Sequence, residues 1–275
     1  EVIIPAPYWL SYPQMVRLAG GKPVFLNSSA EDGFKINIQD LKSKISPKTK
    51  FIIINSPNNP TGRVMPKEEL LQIAELVREN KNINILSDEI YELILKKEFK
   101  HLSLASLATD LKERIFIING FAKGWAMTGW RVGYLVGQKD VIRASSALQS
   151  QSTSNVCSFV QRGALEALKV NREFFLEINS HYDLRREVLY KGLKNIEGLF
   201  IYPPNGAFYA FPRLPNNSMT SVEFCKRILN DYGLVVVPGK PFGDDQCIRI
   251  SCASSKEKIL DGLTRLEKGI LNYYF

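Results

Sequence analysis

Short apolar runs alternate with stretches of helical periodicity along the first half of the chain. Six of these runs are predicted to be strands, at 2–4, 24–26, 51–54, 83–86, 115–118 and 131–136. The clearest helix follows Pro66, which suits a first helical position, because Leu70, Ile73, Ala74 and Val77 recur at the spacing of one helical face. Strands that alternate with helices are typical of βαβ units. The pattern therefore predicts an α/β fold with a mostly parallel central sheet flanked by helices.

After residue 136 the pattern changes to longer helical stretches, predicted at 141–148, 159–168 and 173–193. A segment with Pro203, Pro204 and Gly206 then introduces shorter elements. These are predicted strands at 208–211, 234–237 and 247–251 and predicted helices at 221–231 and 255–272. We expect two domains, a large one over 1–184 and a smaller C-terminal α+β domain over 185–275.

The composition is that of a globular protein. The chain has 275 residues, of which 45% are hydrophobic and 23% are charged, and this excludes a disordered, collagen-like or coiled-coil class. Crossing a bilayer takes about 20 consecutive apolar residues, and the apolar runs here are far shorter. No membrane partner is therefore expected.

The basic residues outnumber the acidic ones by 36 to 28, which gives a formal net charge of +8. Such a charge suits nucleic acid or small anionic ligands. The basic clusters, for example Lys42, Lys44, Lys48 and Lys50, lack the interleaved aromatic residues that stack on bases. We therefore expect no nucleic-acid partner.

The four cysteines and two histidines do not form a recognisable metal-binding pattern. Cys157, Cys225, Cys247 and Cys252 contain no CxxC pair, so no metal site is expected. This cysteine usage fits a reducing compartment, and we expect a cytoplasmic location, with an organellar one left open. The first residue is Glu rather than Met and an apolar strand follows at once, so we expect the chain to be a fragment or a processed product.

The first candidate for chemistry is Lys123, which follows the predicted strand at 115–118. Its neighbours from 120 to 130 are mainly Gly, Ala, Phe, Trp and Met. Such surroundings remove water from the amine, lower its pKa and expose a nucleophilic neutral form that can make a Schiff base. The alternative is a structural lysine whose stem covers an apolar surface.

Two further motifs follow neighbouring predicted strands. Residues 56–62, Ser-Pro-Asn-Asn-Pro-Thr-Gly, follow the strand at 51–54, and Asp88 and Tyr91 follow the strand at 83–86. Open α/β sheets bind ligands outside the carboxyl ends of their strands. An aspartate there can pair with a protonated ring nitrogen, and a tyrosine three residues later can reach a phenolic oxygen. The structural alternatives are a plain turn for 56–62 and a helix cap for Asp88.

Taken in order, five motifs resemble those of the class I aminotransferases, which are pyridoxal-phosphate enzymes of fold type I. They are Pro7-Tyr8-Trp9, Asn59-Pro60-Thr61-Gly62, Asp88-x-x-Tyr91, Ala122-Lys123 followed by 126–133, and Arg249. The resemblance extends from residue 5 to residue 254. It implies the fold type I architecture and pyridoxal 5′-phosphate as the cofactor.

The resemblance also implies a role for each matching residue. Lys123 would hold the cofactor as a Schiff base and move the substrate proton. Asp88 would keep the pyridine nitrogen protonated, and Tyr91 and Asn59 would bind the phenolic oxygen.

Four more residues receive implied roles. Trp9 would stack on the ring face and Arg131 would bind the cofactor phosphate. Arg249 would bind the substrate carboxylate as a planar fork, unless it forms a structural ion pair instead. Tyr12 would brace Asp88 from behind.

The chain departs from the family pattern in two places. Gly120 stands where the family commonly has Ser or Thr, so one hydrogen bond to the phosphate is expected to be missing. Complete relatives also carry an N-terminal part with a Gly-rich turn that cradles the phosphate. We expect that part, and with it some of the small domain and of the specificity, to be absent.

The resemblance implies transamination between an L-amino acid and a 2-oxo acid by a ping-pong route. Aspartate and 2-oxoglutarate are the expected pair, because the chain looks most like the bacterial and plastid aspartate enzymes. Prephenate, aromatic and alanine aminotransferases, a pyridoxal-phosphate-dependent C–S lyase and a non-catalytic fragment stay open as alternatives. A homodimer is expected, since in the family the neighbouring subunit completes the site.

Overall fold

The computed structural model describes residues 1–215 and 219–275. Within these residues the chain forms nine strands, which are β1 (Val2–Pro5), β2 (Pro23–Leu26), β3 (Phe51–Asn55), β4 (Asn84–Asp88), β5 (Ile115–Gly120), β6 (Gly133–Val136), β7 (Tyr209–Ala210), β8 (Val237–Pro238) and β9 (Ile248–Ser251). The helices are α1 (Tyr12–Leu18), α2 (Ile38–Lys44), α3 (Lys67–Glu79), α4 (Leu104–Leu107), α5 (Lys139–Ser152), α6 (Ser158–Ala167), α7 (Arg172–Asn195), α8 (Ser221–Tyr232) and α9 (Lys256–Tyr274). Short 3₁₀ helices lie at Thr109–Arg114, Thr128–Trp130 and Lys240–Phe242.

The larger sheet has the strand order β2-β1-β3-β4-β5-β6 in the described residues. Its first five strands are parallel, and β6 runs antiparallel to β5 at one edge. The predicted α/β class and mostly parallel sheet are therefore confirmed. β2 lies on one side of β1, whereas β3, β4 and β5 follow on the other side, so the order in which strands are added changes direction at β1. Open α/β sheets leave room for a ligand at such switch points.

The interior strands of this sheet are buried because helices cover it. Ile3, Ile52 and Ile85 are fully buried in one cluster with the apolar face of α3. That face carries Leu70, Ile73, Ala74 and Val77, as the periodicity predicts. The helix starts one residue later than expected, with Pro66 as its extended N-cap residue rather than in the first turn.

A smaller sheet with the order β7-β9-β8 lies in the C-terminal part of the described chain. Its strands are antiparallel, and a second apolar cluster fills the space between the sheet and α7, α8 and α9. The expected smaller α+β unit is present. The proposed division between residues 184 and 185 falls within the continuous helix α7, and this boundary stays a prediction.

Three predicted strands were wrong in their bounds. The strand expected at 131–136 begins at Gly133, because Arg131 has a φ of 53°, which lies outside the β region. The strand expected at 234–237 is found at Val237–Pro238, and that at 208–211 shortens to Tyr209–Ala210. No helix in the described ranges is both long enough and apolar enough to traverse a bilayer.

A buried ion pair fastens the loop after β3 to helix α3. The Arg63 guanidinium binds the Glu69 carboxylate with two hydrogen bonds, and both side chains are almost fully buried. Glu69 also accepts a hydrogen bond from the backbone N–H of Ile36, at 3.2 Å. The loop that carries Asn59 is thereby held against the sheet.

We predict that Glu69→Gln destabilises the protein by about 3–5 kcal/mol, because it leaves the buried Arg63 charge without its partner. Glu75→Gln on the same helix removes an exposed partner of Arg78 and should cost less than about 1 kcal/mol. Urea unfolding followed by circular dichroism measures both. Equal losses for the two variants would contradict the assignment.

Candidate active site

One cavity of about 580 Å³ opens where β3, β4 and β5 end. Its size is that of ordinary small-molecule sites. All seven residues predicted for the site line it, together with the predicted brace Tyr12. They are Trp9, Asn59, Asp88, Tyr91, Lys123, Arg131 and Arg249.

Topology explains why residues so distant in sequence meet here. Asn55 and Asp88 are the last residues of neighbouring parallel strands and are register partners. Lys123 follows β5, the next strand of the sheet, by three residues. Parallel strands direct their carboxyl ends to one edge, so the segments that follow them converge. Arg249 reaches the same cavity from β9 of the smaller sheet.

Asp88 is buried at the floor of the cavity. The Tyr12 hydroxyl donates to its Oδ2 at 2.5 Å, and the backbone N–H of Ile90 donates to its Oδ1 at 3.2 Å. Burial raises the pKa of Asp88, and the charge of the adjacent Glu89 acts in the same direction, whereas the two hydrogen bonds lower it. The structure therefore provides the contact that the sequence predicts between Tyr12 and Asp88.

Lys123 lies half-buried across the cavity from this carboxyl group. Its Nζ is 5.9 Å from the ring centre of Tyr91 and 5.8 Å from that of Phe208. Burial lowers the pKa of Lys123, and the positive charges of Arg131 and Arg249 lower it further. The amine is thus more often neutral, and hence nucleophilic, than that of a surface lysine.

Arg249 is half-buried and has no carboxylate partner in the part of the chain that the structure describes. One of its terminal nitrogens donates to Oδ1 of Asn59 at 2.9 Å, and its Nε is buried without a hydrogen-bond partner. The structural ion pair considered from the sequence is therefore not formed among the described residues. Partial burial lowers the pKa of Arg249.

Asn59 and Tyr91 have partners that the sequence did not predict. The side-chain oxygen of Asn59 accepts from Arg249, and its backbone N–H donates to Oδ1 of Asn55 at 2.9 Å. The hydroxyl of Tyr91 lies 3.0 Å from that of Tyr209. Burial, followed by the contact with Tyr209, raises the pKa of Tyr91 far above its usual value.

Trp9 and Arg131 line the mouth of the cavity. The ring of Trp9 meets that of Tyr12 edge to face, with 5.4 Å between the ring centres. Arg131 is exposed, and its guanidinium donates to the carbonyl oxygen of Thr128 at 2.9 Å. Its left-handed backbone ends the 3₁₀ helix at Thr128–Trp130 and turns the chain into β6.

The close packing of two strands explains why residue 120 is a glycine. A Cβ atom at this position would lie 2.7 Å from Cα of Gly133 and 2.9 Å from the carbonyl oxygen of Val132. The backbones of β5 and β6 approach too closely here for Ser or Thr. The departure from the family pattern therefore follows from strand packing in this chain.

Two residues of the site escaped the sequence analysis. Asn55 donates to the backbone oxygen of Asp88 at 2.9 Å and so links the ends of β3 and β4. A polar residue at the end of an apolar strand was an available signal for it. Tyr209 lay in a predicted strand, and nothing in its sequence surroundings points to Tyr91 or Arg249.

The residues of the cavity fit pyridoxal phosphate. A half-buried amine of lowered pKa suits an aldehyde, and a buried carboxyl group suits a ring nitrogen. The orphaned Nε of Arg249 marks a cationic group with capacity left for an anion. Fold and site together define an α/β enzyme for a small anionic ligand.

Comparison with known proteins gives the family. The family described as "Aminotransferase class I and II" matches residues 1–266. The chain belongs to this family, and it is a pyridoxal-phosphate-dependent aminotransferase. The resemblance drawn from the five motifs is thus confirmed, and so is the cofactor that it implied.

Individual relatives agree with this assignment. The "Aspartate aminotransferase" of Bacillus subtilis is 42% identical over 98% of this chain and 69% of its own length. A "Probable aspartate/prephenate aminotransferase" of Rickettsia felis is 42% identical over 98% of this chain and 68% of its own. Among solved structures, a mutant of the Thermus thermophilus aspartate aminotransferase superposes with a TM-score of 0.91 at 39% identity, covering 98% of this chain and 69% of that one. The aromatic aminotransferase of Pyrococcus horikoshii gives 0.94 at 38% identity, over 98% and 73% of the two chains.

We predict that in the cofactor-free protein Lys123 is acylated at lower pH than the exposed Lys112, because burial and two arginines favour its neutral form. Arg249→Gln should move the pH profile of Lys123 upward and leave that of Lys112 in place. Acylation rates at each lysine, followed by mass spectrometry between pH 6 and 10, measure this. Identical profiles for the two lysines in the parent protein would refute it.

Proposed function

We propose that this cavity transfers the amino group of L-aspartate to 2-oxoglutarate. The observation that carries the proposal is the meeting of three groups in one cavity: the Lys123 amine, the buried Asp88 carboxyl group and the Arg249 guanidinium, which has no carboxylate partner among the described residues. An amine can hold the aldehyde, a carboxylate can support a protonated ring, and a free guanidinium can receive a carboxylate. Bound pyridoxal phosphate supplies the electron-withdrawing ring that makes the substrate Cα proton acidic.

The residues around Lys123 divide the work. Lys123 would hold the cofactor through its amine and would carry the substrate proton to and from Cα. Asp88 would pair with the ring nitrogen and keep it protonated, and the hydrogen bond from Tyr12 favours the charged form of Asp88. Tyr91 and Asn59 would bind the phenolic oxygen, Trp9 would cover the ring and Arg131 would bind the phosphate.

Arg249 is assigned to the substrate α-carboxylate. Its charge is held by neutral groups, namely Asn59 and two aromatic rings, so an incoming carboxylate displaces no acidic partner among the described residues. A planar guanidinium can bind a carboxylate with two parallel hydrogen bonds. This arrangement favours amino acids and 2-oxo acids over amines.

Aspartate is proposed because relatives with about 42% identity carry that substrate in their names. A Thermus thermophilus structure with a TM-score of 0.91 is titled as a complex with maleate, a dicarboxylate. Prephenate and aromatic substrates are the second candidates, since other relatives are named for them. The free cysteines, three of them buried, support the proposed cytoplasmic location.

We predict that pyridoxal phosphate forms an absorbing adduct with the protein and that borohydride fixes its mass on Lys123. Lys123→Ala should abolish this adduct. It should also lower the transamination rate by ~10⁴-fold or more, because the group that moves the proton is lost. Lys112→Ala, a change at an exposed lysine, should alter neither. Peptide mass spectrometry and a coupled assay with aspartate and 2-oxoglutarate provide the two readouts.

Different results would overturn the site assignment, the substrate and the reaction type. An adduct on lysines other than 123 would overturn the site assignment. A specificity constant for aspartate far below those for aromatic amino acids would overturn the substrate. Release of pyruvate and ammonia from a single amino acid, without any 2-oxo acid, would indicate a lyase.

A homodimer is the proposed assembly, and an exposed apolar face supports it. Helix α5 has no buried residue, although it carries Val141 and Leu148. Leu148 is 73% exposed and Phe159 on α6 is 71% exposed, and the edge strand β6 adds Tyr134 and Val136. Apolar residues gathered on one face of a protein mark interaction sites.

We predict that the protein migrates as a dimer and that Leu148→Glu shifts it toward the monomer by at least about tenfold in dissociation constant. Leu229→Glu, which changes an exposed leucine on α8, should leave the dimer intact. Size-exclusion chromatography with light scattering measures the masses. A monomeric parent protein at 50–100 µM would refute the proposed assembly.

A further inference from the structure

Tyr209 touches two of the groups that the proposed function needs, and no role has been given to it so far. It is buried, and it lines the cavity. Its hydroxyl lies 3.0 Å from that of Tyr91. Its ring centre lies 4.6 Å from the guanidinium carbon of Arg249.

The ring of Tyr209 compensates part of the Arg249 charge without using a carboxylate. Phe242 contributes a second ring at 4.8 Å. An aromatic face attracts a guanidinium, and the attraction is stronger when the pair is shielded from water. One terminal nitrogen of Arg249 donates to Asn59 and its Nε is buried without a hydrogen-bond partner, so donor capacity stays available for an anion.

The small sheet fixes this contact. Tyr209 on β7 is the register partner of Ser251 on β9, and Arg249 lies two residues before Ser251. Residues two apart on a strand share a face, so Tyr209 and Arg249 are diagonal neighbours within reach of long side chains. The position of the Arg249 charge therefore follows from the pairing of β7 and β9.

The hydroxyl of Tyr209 acts on the other group. The hydroxyl of Tyr91 can donate one hydrogen bond, and in the proposed function it donates that bond to the phenolic oxygen of the cofactor. Tyr209 must then be the donor in the contact between the two hydroxyls. A hydroxyl that accepts a hydrogen bond donates more strongly, because chains of hydrogen bonds polarise one another.

We propose that Tyr209 is a positioning residue that links the carboxylate-binding arginine to the tyrosine at the cofactor oxygen. Its ring orients Arg249, and its hydroxyl strengthens the hydrogen bond that Tyr91 donates. This inference rests on the proposed function, since it uses the roles given there to Tyr91 and Arg249.

The two halves of Tyr209 can be removed separately. In Tyr209→Phe the ring remains, so the KM for aspartate and the Kd of maleate should stay within about twofold of the parent values. The pH midpoint of the absorption band of lysine-bound cofactor should rise by roughly 0.3–0.5, because Tyr91 then stabilises the phenolate less well. Tyr209→Leu should show the same rise and also weaken aspartate and maleate about 5- to 30-fold.

Tyr202→Phe serves as the matched control, because Tyr202 packs on Phe34 and does not line the cavity. It should change neither the midpoint nor the affinities. The pH titrations and maleate binding require no turnover, and thermal unfolding verifies that each variant is folded.

The outcomes distinguish a failure of the proposed function from a failure of the role of Tyr209. A parent protein without the lysine-bound band overturns the proposed function, and the role of Tyr209 falls with it. A normal band in the parent, with an unmoved midpoint in Tyr209→Phe, overturns the role of the hydroxyl while the proposed function stands. Unchanged maleate affinity in a folded Tyr209→Leu overturns the role of the ring in the same way.

Discussion

Two opposite charges share the cavity without neutralising each other. Asp88 is buried and Arg249 is half-buried, and the described structure holds no ion pair between them. Each is held instead by neutral groups, Asp88 by the Tyr12 hydroxyl and Arg249 by Asn59 and aromatic rings. Separated buried charges are costly, because each loses hydration without gaining a full counterion. The carboxyl group of Asp88 and the guanidinium of Arg249 can therefore each still bind an oppositely charged group of a ligand. Lys123, which lines the same cavity, has a lowered pKa.

Asp88 and Arg249 stay apart because they belong to different sheets. Asp88 ends a parallel strand of the large sheet, whereas Arg249 lies within the central strand of the small one. Two hydrogen bonds then join the segments that follow the large sheet to the small sheet, one from Arg249 to Asn59 and one between Tyr91 and Tyr209. A shift of one sheet against the other would alter both contacts together. The relative positions of Asp88 and Arg249 are thus set by one packing arrangement rather than by two independent ones.

The sequence predicted Asp88 and Lys123 near the ends of strands, and it missed Asn55 and Tyr209. Asp88 and Lys123 could be found because parallel strands send their ends to a common edge, which is a consequence of topology. Tyr209 could not be found in this way, because Tyr91 lies 118 positions away from it in the sequence. Its position also depends on the pairing of β7 with β9. The bounds of β6 were missed for a local reason, the left-handed backbone at Arg131, which side-chain periodicity does not reveal. Fold class, sheet type and the core face of α3 needed only periodicity and were correct.

The exposed apolar face and the cavity are not independent either. Val132 and Gly133 line the cavity and also line the groove formed with α5 and α6. Helix α5 has 14 residues, a length at which an isolated helix is marginal in water, and it buries no side chain in this chain alone. In the proposed dimer, a partner that covers α5 would therefore supply packing energy to the same backbone that borders Arg131. Where the dimer and the monomer bind the cofactor with different affinity, linkage requires that the cofactor shifts dimerisation by the same free energy.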